Sequence, residues 1–374
     1  MEKYNDYFVE QFGEKDAFFD FIKNVKKDWL EVPVSEIFYQ PLAWLADDQI
    51  AETVSPEALL DARQGDCMAA RIDGKYYPVR YNTACKTLLE RNRMTGKAMS
   101  DMESGPRCMC LNTAARLYPK DVAKVLIQED KASAFLSGGE KDYAILDAYQ
   151  LIETVQKALD DRFGGGVFVG GYFDHSRTAA EWKMPAKRHD LIGAYLDMLR
   201  MIGKDDLADK LVPGIKFSTS DVGIGKAAVS AYLYGGSVPI CIGGCMEVKH
   251  RSGATLADFE DEVSGMFGKF VDAVKEIERL HTINLRYPVN VMTAVCKKLL
   301  LPKKESMEAI DMFKDIFGED SATAGDIYLA MQEILFSLKN EQPSKQFTIE
   351  ENISKALTKK IRWEDYDRPG EVKW

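Results

Sequence analysis

The sequence predicts an α+β fold, with mixed or antiparallel sheets covered by helices and a helical final third. The first observation is residues 213–250. There Pro-Gly-Ile-Lys-Phe-Ser-Thr-Ser-Asp-Val-Gly-Ile-Gly-Lys is followed by Ala-Ala-Val-Ser-Ala-Tyr-Leu-Tyr and then by the apolar run 238–250. Apolar stretches rich in β-branched and aromatic residues, split by glycine pairs, mark three strands joined by two turns. The second is Asp73-Gly74 between the apolar runs 67–72 and 75–80, the strongest short-range hairpin signal in the chain. The third is a succession of helix-period segments beyond Thr255. Strand-rich and helix-rich stretches that segregate along the chain favour α+β over a regular βαβ winding.

Taken in order, Phe8, Phe12, Phe18, Phe19, Ile22 and Trp29 recur at roughly helical spacing, which predicts one or two amphipathic helices over 3–29. A short strand is expected at 36–40. Ser55, Pro56 and Glu57 open a helix over 55–63. After the 66–80 hairpin, Asn82 is placed as the cap of a helix over 83–92, and 107–112 is expected as a strand. Helices are expected over 119–131, with Pro119 near the start, and over 145–162. Gly164-Gly165-Gly166 breaks the pattern. Strands at 167–173 and 178–184 follow, joined by Asp174-His175-Ser176-Arg177, which puts His175 in an exposed turn. Helices over 190–202 and 204–211 precede the glycine-rich cluster. Helices over 255–281, 288–300, 305–317, 322–339 and 349–358 come after it, with Thr255 and Ser321 as N-caps. This divides the chain into an N-terminal helical segment (1–64), a strand-rich core (65–254) and a helical region packed on it (255–374). There is no fixed-period repeat.

Composition bounds the function classes. The 374 residues carry 46% hydrophobic and 29% charged side chains, enough for a substantial core. A net charge of −10 argues against a generic polyanion binder but leaves room for a local basic groove. The first residues are polar, and no apolar run of about 18 residues occurs, so neither a secretory signal nor a membrane span is expected. Seven scattered cysteines in a chain without a signal are expected as reduced thiols, and the expected compartment is the cytoplasm.

The chemical motifs mostly resolve into structure. Asp221-Val-Gly-Ile-Gly-Lys226 lacks the spacing and the Ser/Thr of a phosphate loop and is expected as a tight turn. Gly164-Gly165-Gly166 precedes a strand, where a dinucleotide fingerprint needs a helix. Cys108-Met-Cys110 is too tight for a zinc pair, and Cys241 and Cys245 lie in an apolar strand, so no metal site and no cofactor are expected. The four histidines form no metalloprotease spacing, no Gly-x-Ser-x-Gly elbow occurs, and no carboxylate pair stands out. No catalytic residue is nominated, and the pattern points away from an enzyme.

Basic clusters are the residual signal. Lys183, Lys187, Arg188 and His189 form one, and Lys249, His250 and Arg251 a second. Arg286, Lys297, Lys298, Lys303 and Lys304 form a third, and Lys355, Lys359, Lys360 and Arg362 a fourth. On an acidic background such groups suit a phosphate backbone, with Tyr76, Tyr77, Tyr81, Tyr232 and Tyr234 as stacking faces. Strand alternation puts Lys249 and Arg251 on one face, toward solvent, and turns His250 toward the protein.

The chain also resembles the phage- and plasmid-like proteins grouped as domain of unknown function 932. The likeness covers roughly 65–340 and rests on Arg-Ile-Asp-Gly-Lys-Tyr-Tyr-Pro-Val-Arg-Tyr-Asn-Thr-Ala (71–84), Arg-Cys-Met-Cys-Leu-Asn-Thr (107–113), Phe-Ser-Thr-Ser-Asp-Val-Gly (217–223), Cys241 with Lys249-His250-Arg251, and Ala-Thr-Ala-Gly-Asp-Ile-Tyr-Leu-Ala-Met-Gln-Glu (322–333). The resemblance implies a mobile-element origin and brings no known reaction. Together, likeness and basic clusters lead to the expectation of a non-enzymatic accessory of phage-type DNA metabolism or recombination. It would bind single-stranded DNA or RNA, as a homo-oligomer, with Lys183, Lys187, Arg188, Lys249, Arg251, Arg286, Lys297 and Lys298 as contacts. The alternatives are a self-assembling interaction protein that joins through an apolar strand edge, and a cytosolic enzyme.

Overall fold

The computed structural model describes residues 2–117, 121–139, 142–236, 239–251, 253–318, 320–338 and 343–374. The chain opens on β1 (Val9–Phe12) and α1 (Lys15–Asn24). A smaller lobe follows, made of β2 (Lys27–Pro33), β3 (Phe38–Pro41), α2 (Asp47–Ile50), α3 (Pro56–Ala62), β4 (Met68–Ile72) and β5 (Lys75–Pro78). It is completed by α4 (Tyr81–Arg91), α5 (Lys97–Ser100), α6 (Ser104–Leu117), β6 (Val122–Gln128) and β7 (Lys131–Ser137). The larger lobe runs through α7 (Ala148–Arg162), β8 (Val167–Asp174), β9 (Arg177–Lys183), α8 (Arg188–Met201), α9 (Asp205–Lys210), β10 (Val212–Thr219), β11 (Ala227–Tyr234) and β12 (Ile240–Val248). Its helical end comprises α10 (Leu256–Ser264), α11 (Met266–Leu280), β13 (Asn284–Leu285), α12 (Pro288–Lys298), α13 (Lys303–Phe317), β14 (Ala322–Thr323), α14 (Ala324–Met331), α15 (Glu333–Ser337) and α16 (Pro343–Ser354).

This is an α+β protein. The main sheet has six antiparallel strands in the order β1-β8-β9-β10-β11-β12. Period-2 alternation divides its faces. Ala180, Trp182, Ile215, Phe217, Val229, Ala231 and Leu233 form the apolar face and pack with α7, α8, α10 and α11 into the principal core. The opposite face carries Arg177, Glu181, Lys216, Ser218, Ser230 and Tyr232, a polar surface inside a folded protein. The smaller lobe has two three-stranded sheets, β2-β6-β7 and β3-β4-β5, around a separate core that includes Tyr39, Leu88, Leu111 and Phe135. No helix among the described residues is long and apolar enough to cross a membrane.

The glycine-rich cluster folds as expected, into β10, β11 and β12; Val238, placed in the third strand, lies outside the described residues. Asp73 and Gly74 turn the β4–β5 hairpin with φ of 49° and 80°. Thr255 caps α10, its hydroxyl accepting from the Asp258 N–H at 3.2 Å.

Three elements and two caps are corrected. Residues 119–131 hold no helix among those described: β6 and β7 form a hairpin, while Pro119 lies outside the described residues. Its turn is Glu129-Asp130, both in the left-handed region (φ 47° and 61°) without a glycine. Side chains hold that strain: Glu129 pairs with Lys3 at 2.8 Å and accepts from the Lys26 N–H at 3.1 Å, and Asp130 pairs with Lys26. Residues 107–112 are helical, within α6, which packs against β3; the apolar run is too short to tell strand from buried helix. Asn112 there bonds both backbone groups of Tyr39, at 2.8 and 2.7 Å, and so fixes the edge of β3. The first 64 residues are not a helical segment: β1, β2 and β3 each join a different sheet, and Trp29 sits on β2. Two caps also move. Thr323, not Ser321, caps α14, and Arg80 precedes α4 while Asn82 lies inside it.

Candidate functional site

A groove of about 1270 Å³ opens on the polar face of the main sheet. Its floor is β10, β11 and β12, and its walls come from α11, α16 and the segment that follows α16. One end is closed by Leu136 and Ser137 of β7 with Asp142 and Tyr143. Topology explains what gathers at that end. In antiparallel strands, the start of β9, the end of β10, the start of β11 and the end of β12 lie side by side. Arg177, the 220–226 turn, Lys226, Lys249 and Arg251 therefore meet there.

The floor is a buried polar network. Lys216 stands opposite Glu181 across the β9–β10 ladder and reaches it at 3.3 Å. Its ammonium also donates to Glu350 of α16 at 2.9 Å. The Tyr232 hydroxyl donates to Glu350 at 2.9 Å and that of Tyr234 to Glu181 at 3.0 Å. Phe347 of α16 lies 4.0 Å from the Lys216 ammonium. Burial works to lower the Lys216 pKa, but the charges of Glu350 and Glu181 outweigh it and the pKa is raised. Burial lifts the Tyr232 and Tyr234 phenols far above the ordinary range, so they stay protonated donors. Burial lifts the Cys241 thiol to about 11, so it is no nucleophile at neutral pH.

Eight cationic side chains line the groove against six carboxylates among the described residues, a local excess in a chain of net charge −10. Four cations have partners: Lys216, Lys226 with Glu247, Lys269 with Glu262, and Lys355 with Asn352 at 2.7 Å. The others, Arg177, Lys249, Arg251 and Lys359, make no side-chain hydrogen bond or ion pair with a described residue. Arg177 is half-buried, its guanidinium 4.6 Å from the Phe347 ring centre, and burial lowers its pKa against the pull of Asp174.

His250 turns inward, as the alternation requires, while Lys249 and Arg251 are exposed. Its Nδ1 lies 3.2 Å from the Ala144 carbonyl, which can only accept, so Nδ1 carries the proton. Nε2 then accepts from the Thr219 hydroxyl at 3.1 Å, and the ring stacks on Tyr143 at 5.3 Å. Burial holds its pKa below the ordinary value, so it adds no charge to the groove. His175, expected in an exposed turn, is 4% exposed: the β8–β9 turn is covered by Phe8 and by Gln128, whose Oε1 lies 3.3 Å from Nδ1.

The structure brings only part of the expected basic set together. Lys249 and Arg251 line the groove. Lys183 shares the polar face but lies six residues along β9 from Arg177, roughly 20 Å away at about 3.3 Å per residue, where its ammonium covers Tyr234 at 5.2 Å. Lys187 pairs with Asp190 at 3.0 Å. Arg188 closes the end of α9, donating to the Leu211 and Ala208 carbonyls at 2.6 Å each. Arg286, Lys297 and Lys298 lie around α12, where Lys297 donates to the Lys373 carbonyl at 2.8 Å. Of the five tyrosines, Tyr232 and Tyr234 are buried, and Tyr76, Tyr77 and Tyr81 belong to the smaller lobe. Sequence reasoning missed Arg177, Lys216, Lys226, Lys269 and Phe347 as groove residues, because single charges in strands and helices give no cluster; only the strand order assembles them. The seven cysteines are free thiols, and no cluster of metal-ligating side chains occurs among the described residues.

No family model, no curated protein and no solved structure matches this chain.

Proposed function

We propose that the groove binds single-stranded nucleic acid through its phosphates. The protein then acts by binding rather than by catalysis, as an accessory of phage-type DNA metabolism. The observation that carries this reading is the set Arg177, Lys249, Arg251 and Lys359, which share one groove without a side-chain hydrogen bond or ion pair to a described residue. Unpaired cations on a net-negative protein are what a phosphate chain would neutralise. The volume exceeds the roughly 300–1,000 Å³ of ordinary small-molecule clefts and suits an extended chain. Phe347, half-buried beside Arg177, is the aromatic face available for a base. DNA and RNA fit the same features equally.

The test is a fluorescence-anisotropy titration with a labelled oligothymidylate at low and at physiological salt. Binding at low salt that weakens steeply with added salt supports the reading; no binding at low salt, where the phosphate contribution is greatest, overturns it. A second reading, self-assembly, is favoured by β1, which ends the main sheet with Val9 44% exposed. Light scattering that shows a defined oligomer without oligonucleotide affinity would favour it.

A further inference from the structure

The blind end of the groove contains an arrangement that phosphate-backbone binding does not require. Arg177 brings its guanidinium donors there, and none has a partner among the described residues. Its Nε is fully buried and unpartnered, and so is the hydroxyl of Ser220, a residue 1% exposed. Buried donors without partners are rare in native proteins, and two beside one turn call for an explanation. Three carboxylates, Asp174, Glu351 and Glu350, act on Arg177 by charge, and none hydrogen-bonds its guanidinium; Asp174 accepts instead from the Ser176 N–H, the Ser176 hydroxyl and the Arg177 N–H at 2.6–2.7 Å. Glu350 is held by Lys216 and Tyr232.

The 220–226 turn passes close beside these groups at Gly225. A Cβ on Gly225 would lie 3.3 Å from the Ser220 Cβ and 3.8 Å from an Arg177 terminal nitrogen. The turn itself is anchored by Lys27 to Asp221 at 2.5 Å and by the Tyr143 hydroxyl to the Ser220 and Asp221 carbonyls at 3.2 Å each. Lys226 stands at its end. Beyond it β7 abuts the turn, since a Cβ on Gly223 would meet Leu136 at 2.8 Å. A chain in the groove would end here rather than pass through.

We propose that Arg177, Gly225 and Lys226 form a subsite for a terminal phosphate monoester, carried by the end of a strand or by a free nucleotide. A monoester offers three non-bridging oxygens to the planar fork of Arg177, where an internal phosphodiester offers two. The subsite rests on the nucleic-acid reading of the groove only for the source of the phosphate.

The experiment compares wild type, Arg177→Gln and Gly225→Ala in their binding of a single-stranded oligonucleotide bearing a terminal phosphate, the same oligonucleotide with hydroxyl ends, and thymidine monophosphate. Circular dichroism and thermal melting confirm that each variant is folded. Wild type is expected to prefer the phosphorylated oligonucleotide by tenfold or more. Gly225→Ala is expected to lose that preference while keeping the weaker affinity for the hydroxyl-ended strand; Arg177→Gln is expected to lose the preference and, because Arg177 also belongs to the cation set of the groove, to bind the hydroxyl-ended strand more weakly as well. Gly225→Ala acts by crowding Ser220 and the Arg177 terminus and is independent of any misfolding of the arginine variant. Binding of the mononucleotide that depends on Arg177, with no affinity for either oligonucleotide, supports the subsite and refutes the strand reading. Equal affinity of wild type for both oligonucleotides, with no mononucleotide binding, overturns the subsite and leaves the strand reading standing.

Discussion

Replacing Lys216 with methionine tests whether the polar floor of the groove is held as a charged network. Methionine keeps most of the side-chain volume against Phe347 and Tyr232 and removes the charge with its N–H donors. The ammonium lies 2.9 Å from Glu350 and 3.3 Å from Glu181, and the three side chains are 11%, 16% and 27% exposed. At an effective dielectric constant of about 20, each pair is worth roughly 5 kcal/mol of attraction, much of it offset by desolvation. Removing one partner leaves the carboxylates buried without a cation, which typically costs about 3–5 kcal/mol. The partial exposure of Glu181 places this case near about 3 kcal/mol. The urea midpoint of Lys216→Met, compared with wild type at pH 7, measures the loss. In Lys216→Met/Glu350→Gln, which leaves one carboxylate, part of the loss returns. The sign with pH is fixed: the raised lysine pKa gives a contribution that is complete below the ordinary 10.5 and disappears only as the pH climbs through the folded value. A single variant that loses less than about 1 kcal/mol would refute the charged network.

Other outcomes follow from the same geometry. Gly223→Val puts a β-branched residue at φ +75° with its Cβ 2.8 Å from Leu136, so a stability loss of about 2–4 kcal/mol is expected in urea, and an unchanged midpoint would contradict the turn. Gly225 does not share the positive φ, so Gly225→Ala should be tolerated by the backbone. Arg188→Ala should destabilise by about 1–3 kcal/mol by stripping the α9 carbonyls of their donor, yet leave oligonucleotide affinity untouched; weaker binding with intact stability would return Arg188 to the interface. His281 is pushed down to about 4, first by burial and then by Lys204. Its folded pKa lies below the ordinary 6.5, so the stability it contributes is present above 6.5 and is lost as the pH falls toward 4. That loss is about 3 kcal/mol for this group. His281→Asn should flatten the acid limb of the urea midpoint against pH by about that amount, and an unaltered limb would refute the assignment.

The elements that the sequence revealed are those with local signals. Asp73-Gly74 specifies its hairpin through two residues that accept positive φ, and the glycine-rich run resolves into three strands because β-branched stretches alternate with turns. Thr255 and Asp258 announce α10 through side-chain bonds to the backbone. The elements that misled are those whose cause is distant in sequence. Glu129-Asp130 turns without glycine because Lys3, Lys26 and the Ser55 N–H, all far upstream, hold its carboxylates. Residues 107–112 could not be told from a strand, since what makes them helical is packing against β3. The site was half legible for the same reason. Lys249 and Arg251 stand together in sequence and in space, but Arg177 and Lys226 join them only through the strand order. Arg188, conspicuous in a cluster, serves the end of a helix.

The most direct test of the central claim is the salt dependence of oligonucleotide binding by wild type and by Lys249→Ala/Arg251→Ala. Both side chains are exposed, line the groove and have no partner among the described residues, so the double variant should melt as wild type does. If each neutralises one phosphate, wild type binds single-stranded DNA at low salt, and the log–log slope with salt becomes shallower by about 1.4 in the variant, at roughly 0.7 per contact. An unaltered slope and affinity in a folded variant, or no binding by wild type at low salt, would contradict the account.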